Sequence, residues 1–183
     1  MKTLLVSLAL SLVPTDSSTG FRTAHIKYVH HSIVGTENWD VWIESNRFEN
    51  DSTRITDRGK YSPTNNVKIV FTPSETIYID LDQKFISKRP NESNKLDFNS
   101  MLFDWSGEKA SHKGKAKCLK WNCEVWAAPN FEVSIYRGII LKMKKSFGSI
   151  HEDAVATSVS FDVTIPKEKF AIPADFKIKK SDR

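Results

Sequence analysis

Five histidines and two cysteines are the residues of this 183-residue chain whose chemistry could go beyond packing. Histidine titrates near neutrality and ligates metals, so His25, His30, His31, His112 and His151 are the first candidates for a general base or a metal centre. Their spacing argues against both. His30 and His31 are adjacent, and neighbouring side chains on a strand point to opposite faces, so the pair cannot chelate one ion. His25 shares a face with His31 at best, without a carboxylate close by in sequence. His112 falls in a basic stretch that reads as a loop, and His151-Glu152-Asp153 reads as a hairpin turn. No Gly-x-Ser-x-Gly elbow, phosphate-binding loop, His-Glu-x-x-His helix or dinucleotide glycine pattern occurs. A carboxylate pair for glycoside hydrolysis cannot be singled out. The chain therefore reads as a non-enzyme, with no metal site and no cofactor.

The cysteines, Cys118 and Cys123, must be read with the N-terminus. Met1-Lys2 is a short basic region, Thr3 to Val13 is an apolar run, and Pro14 ends it before small polar residues. A secretory leader has an apolar stretch of about 7–15 residues, whereas a membrane-spanning helix needs about 20. Residues 1–20 therefore read as a signal peptide cleaved before Phe21, and 21–183 as one exported domain, secreted or periplasmic. No cysteine near the cleavage region offers a lipobox, and no transmembrane helix follows. An oxidising compartment favours a disulfide. The four residues Leu119 to Asn122 have the length of a hairpin loop whose flanking positions face each other, so a Cys118–Cys123 structural disulfide is favoured over free thiols.

Chemistry of this kind needs elements to position it, and the mature chain is dominated by period-two alternation, the mark of half-buried strands. Strands are expected over His25 to Ile33, Trp39 to Glu44 and, less buried, Ser45 to Thr56. Val67 to Phe71 and Ile77 to Leu81 flank a Pro73-Ser74-Glu75 turn and form a hairpin. Cys123 to Trp126, Phe131 to Ile135, Ile139 to Met143 and Val155 to Ile165 follow. Ser106 to Lys117 reads as a polar, basic loop. Asn94 could cap a short helix carrying Leu96, Met101, Leu102 and Trp105. Pro166 and Pro173 frame Phe170 and Ile172 in an edge or extended tail. Trp42 and Trp126 read as facing away from the aliphatic set. The fold class is mainly β, a curved antiparallel sheet (an open half-barrel) with a short helix against the sheet or its mouth.

The net charge is +5. Lys and Arg are interleaved with acids rather than gathered in a stripe, so nucleic acid is not an expected partner. Weak, peripheral attraction to anionic headgroups remains compatible with that charge.

Three stretches resemble a known group. Gly114-Lys115 through Trp121-Asn122-Cys123-Glu124-Val125-Trp126 is similar to the GK-x-x-x-G-Y-x-C-x-V-W strand of small bacterial envelope proteins related to the outer-membrane lipoprotein-carrier-like half-barrel. Tyr136-Arg137-Gly138-Ile139-Ile140-Leu141-Lys142 resembles their Y/W-K-G-I/V-P-L-K strand, and Ile165-Pro166 to Ile172-Pro173 their closing segment. Trp121-Asn122 stands where Gly-Tyr is usual, Ile140 where proline is usual, and Cys118 is an addition to the pattern. The resemblance implies a half-barrel of eleven or fewer strands, with an apolar concave face partly closed by a helix.

The expected function follows from that face. It is an exported, non-enzymatic protein binding a lipid, acyl chain or other apolar ligand, with a carrier-like role in the cell envelope. The ligand-binding residues are expected to be Val41, Ile43, Ile69, Phe71, Ile77, Ile79, Val133 and Ile135. Partners would be a lipid or lipoprotein acyl chain, or an envelope protein. The alternative is a structural or interaction protein whose core is filled and holds no ligand.

Overall fold

The computed structural model describes residues 21–33, 35–44, 47–55, 66–72, 74–90 and 110–179, with backbone alone at 47–55 and 66. Over these residues the alternation becomes twelve strands: β1 (Thr23–Ser32), β2 (Gly35–Glu44), β3 (Arg47–Ile55), β4 (Asn66–Phe71), β5 (Glu75–Asp80), β6 (Phe85–Pro90), β7 (Ser111–Cys118), β8 (Trp121–Ala128), β9 (Phe131–Tyr136), β10 (Ile139–Phe147), β11 (Ile150–Phe161) and β12 (Lys177–Lys179). They form one sheet in the order β12-β6-β5-β4-β3-β2-β1-β11-β10-β9-β8-β7. Two antiparallel meanders, β1 to β6 and β7 to β11, are joined where β1 pairs with β11. β12 runs parallel to β6. The ends of the order do not meet, so the sheet is open and curved.

Register shifts at Lys27/Tyr28, Ile140/Lys142 and His112/Gly114 interrupt three ladders. An extra residue in one strand increases local twist and bends it, which lets so wide a sheet curl. The β9–β10 connection is the two-residue turn Arg137-Gly138, with φ of 49° and 78°. Positive φ at both central positions matches the twist of the flanking strands, and Gly138 meets that requirement without strain.

Several expectations are corrected here. Ser106 to Lys117 is not all loop, because Ser111 to Cys118 is β7, paired along its length with β8. Its pattern hides the strand because seven of its eight residues escape full burial and need no apolar face. Phe85–Pro90 is a strand that the alternation did not reveal. The β7–β8 loop is two residues, not four, since Cys118 pairs directly with Trp121. Cys118 and Cys123 nevertheless form the disulfide, diagonally across the hairpin with Cα atoms 6.0 Å apart. The helix expected near Asn94, with Trp105, lies outside the described residues. Among the described residues no helix is long and apolar enough to cross a membrane.

The C-terminal segment does more than lie at an edge. Beyond β11, Asp162 donates its N–H to the Thr23 carbonyl at 2.7 Å, and Thr23 Oγ1 donates to the Val163 carbonyl at 2.6 Å. A 3-10 turn at Lys167–Phe170 follows, where Lys68 Nζ donates to the Glu168 carbonyl at 3.0 Å. Phe170 and Phe176 then pack on Val70, Ile77, Ile79 and Ile86 before β12 joins β6. The segment is a strap over one face of the β4–β6 end. The larger core lies around β1, β2 and β8 to β11, where Ile26, Tyr28, Val41, Val133, Leu141 and Met143 are fully buried. The Tyr28 hydroxyl donates to the Ile140 carbonyl at 2.8 Å, and burial pushes its pKa well above the ordinary tyrosine value.

Two outcomes follow. Phe170→Ala should lower unfolding free energy by about 1–3 kcal/mol in urea titrations, less than for a fully buried Phe because the ring keeps some solvent contact. Removing the disulfide with paired Cys118→Ala and Cys123→Ala should cost at most about 2 kcal/mol, because a five-residue separation closes only a small loop.

Candidate functional site

The apolar face is assembled by register. Val41 lies opposite Ile26 and Ile43 opposite Ala24. Through positions 50 and 48 of β3 they share a face with Ile69 and Phe71. In the other direction His30 pairs with Ala154, Ala154 with Met143 and Met143 with Val133, so the same face continues to Val133 and Ile135. Six of the eight expected ligand-binding residues therefore occupy one strip running from β4 to β9. Ile77 and Ile79 do not. They pair with Val70 and Lys68, one position out of phase with Ile69 and Phe71, and so face the strap. A side-chain period of two makes that single-residue offset decisive.

The strip is buried. Val41 and Val133 are at 0% exposure, Phe71 at 7% and Ile43 at 8%, while Ile69 and Ile135 are half-buried against the same core. Trp126 pairs with Val133 and belongs to this face, contrary to the expectation that it faces away. Trp42 pairs with His25 on the opposite face, as expected. There the two rings stack with centroids 3.8 Å apart, His25 Nε2 bonds Asp40, and Lys169 of the strap lies 5.4 Å above the indole.

One polar island interrupts the apolar face. His30 is 6% exposed, and both its ring nitrogens are engaged. Nδ1 meets Glu37 Oε2 at 3.3 Å and Nε2 meets Glu152 Oε1 at 2.8 Å. Trp39 Nε1–H donates to the same Glu37 oxygen at 3.0 Å, and its indole stacks on the imidazole at 4.3 Å. Burial alone pulls the His30 pKa down, but hydrogen bonds to Glu37 and Glu152, with their charges, outweigh it and raise the pKa above its ordinary 6.5. A protonated ring donating from both nitrogens has no lone pair to offer a metal or a substrate proton. It ties β1, β2 and β11 together instead. Reading along the sequence missed it because Glu152 lies 122 residues away. Glu37, seven residues on across the β1–β2 hairpin, was the available signal.

A second cluster closes one end of the sheet. Phe161 lies 5.1 Å from Phe21, 5.8 Å from Trp121 and 6.0 Å from Tyr136, and Trp121 and Tyr136 stack at 5.2 Å. The Arg137 guanidinium sits 4.7 Å above Phe161 and 5.6 Å above Phe21. The remaining histidines make separate contacts: His31 with Thr36, His112 with Glu124 and His151 with Ser146. Among the described residues no group of three His, Cys, Asp or Glu side chains is arranged to hold a metal ion.

These features define a class, the open and curved antiparallel half-barrel with a packed apolar face. Solved structures share the architecture. An uncharacterized conserved protein from Thermus thermophilus superposes with a TM-score of 0.66 at 9% identity, over 91% of this chain and 94% of that one. The MucA/MucB complex of Pseudomonas aeruginosa contains a chain that superposes at 0.56 and 11% identity, over 90% of this chain. This chain covers 61% of that one. PNGF-II gives 0.52 at 14% identity, with 87% of this chain matching 31% of that one. At such identities the likeness is one of fold. The chain matches no protein-family model, and no curated protein is similar to it in sequence.

The His30 island has a pH signature. Its pKa is raised on folding, so its contribution to stability is full below the unfolded value near 6.5 and is lost as pH rises through the folded value. The melting temperature of the wild type should therefore fall over that range. His30→Gln should be less stable at the acidic end and should lose this component of the pH dependence, as read by thermal melts across the range.

Proposed function

We propose that the chain is an exported, non-catalytic binding protein of the cell envelope, which holds an acyl chain or comparable apolar ligand against the face carrying Val41, Ile43, Ile69, Phe71, Val133 and Ile135. The observation that carries this reading is that these apolar positions share one face, which the His30 island interrupts but does not divide in register. One register links apolar positions from β4 to β9 on a sheet whose two ends remain apart. Contact with hydrocarbon stabilises by about 25 cal/mol per Å² of apolar area removed from water, without directional demands. Selectivity for ligand shape should therefore be loose. Because Val41 and Val133 are already out of solvent, a guest enters by displacing covering side chains, and binding is coupled to local opening. Export rests on the leader-like residues 1–20. A protein partner is compatible with the same fold, since MucB is known in complex with MucA.

A second reading, a filled core without a ligand, draws on the full burial of Val41 and Val133. Native mass spectrometry of protein purified without detergent separates the two. Ligand binding should appear as a lipid-sized mass increment that collapses in Ile69→Lys and Ile135→Lys variants, whose half-buried positions tolerate the change better than Val41 or Val133 would. A uniform ligand-free mass, with no uptake of a fluorescent fatty acid, would favour the filled core.

A further inference from the structure

We propose that the outer edge of β7 is a docking strand for an acidic, extended segment of a partner protein, which adds to the sheet as a further strand. β7 ends the strand order, and among the described residues no strand pairs with its outer side. An edge strand turns part of its N–H and C=O groups outward as a template for another chain. Ser111, His112, Lys113, Lys115, Ala116 and Lys117 are all exposed.

Charge selects the occupant. The strand reads Ser-His-Lys-Gly-Lys-Ala-Lys-Cys and contains no acid, and Lys120 follows in the turn. On neighbouring β8 the single carboxylate, Glu124, is engaged by His112 at 2.6 Å and Lys115 at 3.1 Å. Lys113 and Lys117 make no ion pair with another described residue. Lysines on an edge are a common guard against self-association, and here they oppose a second copy of this chain, which would bring Lys against Lys. They do not oppose a strand carrying Glu or Asp, whose side chains would face them across the new ladder. A bilayer fits less well, because β7 carries no large apolar side chain to insert. The bulge at His112/Gly114, where Gly114 has φ of 104° and open space around a would-be Cβ, bends the start of the strand. Lys115 to Cys118 is left as the regular stretch. This surface is distinct from the apolar face, so its test does not depend on the ligand proposed above.

The experiment titrates the ¹⁵N-labelled protein with a short blocked peptide alternating Glu and Val, and with the same peptide N-methylated at every second amide. Binding should shift and protect from hydrogen exchange the amides of Ser111 to Cys118, and it should weaken as salt rises. N-methylation keeps the charge but removes the pairing donors, and it should abolish binding. Lys113→Glu, Lys115→Glu and Lys117→Glu combined should weaken the parent peptide at least about tenfold, as three exposed charge pairs are reversed. The peptide comparison uses the unaltered protein and stands even if that variant folds poorly. Equal binding of the N-methylated peptide, shifts centred elsewhere, or no response up to the peptide's solubility limit would each overturn the proposal. So would lysine-dependent binding to phosphatidylglycerol/phosphatidylcholine vesicles without peptide binding.

Discussion

The pairing of β1 with β11 is the constraint on which the rest depends. Each meander is built from local hairpins and could form from neighbouring residues alone, but neither by itself carries the whole apolar face. The seam between them brings together residues 122 to 140 positions apart. It also concentrates specific polar interactions in or beside the core: Tyr28 reaching the Ile140 carbonyl, His30 reaching Glu152, and Thr23 tied to Val163. Polar groups buried in an apolar core are costly unless satisfied, so these bonds specify one register among the many that apolar packing would tolerate. The bulge at Lys27/Tyr28 lies in the same ladder and bends the sheet at its centre.

A sheet that carries apolar side chains on both faces must cover both. One face packs on itself around Ile26, Val41, Val133 and Met143. At the β4–β6 end the other face is apolar too, with Val70, Ile77, Ile79 and Ile86, and the C-terminal strap covers it with Phe170 and Phe176. This division explains why Ile77 and Ile79, similar in composition to Ile69 and Phe71, serve the strap rather than the strip proposed as a binding face. It also limits the edges. The strap's last residues occupy one edge as β12, and the lysine-rich β7 forms the other.

Much of this was legible from residues alone. The β4–β5 hairpin was visible because Val67-Ile69-Phe71 and Ile77-Ile79 alternate around a proline turn. Strands β8 to β10 were visible because aromatic and aliphatic positions recur at every second residue between short turns. β7 was not, because an exposed edge strand needs no apolar periodicity. β6 was obscured because Phe85 and Ile86 are followed by Ser87, Lys88, Arg89 and Pro90, with only Ile86 fully buried. The phase of Ile77 and Ile79 relative to Ile69 was also hidden, since it depends on which residue of β4 faces which residue of β5. The polar island was missed for a related reason, its partners coming from three strands.

What the chain determines by itself is therefore the class: β-rich, antiparallel, with a short-range disulfide. Alternation, turn residues and cysteine spacing are local properties, set by covalent geometry and by the burial of one side chain in two. Which side chains share a face, which histidine is held between two carboxylates and where the last segment lies were decided only in three dimensions. Those outcomes rest on inter-strand register and on contacts between residues about ninety or more positions apart, and local pattern carries no information about either.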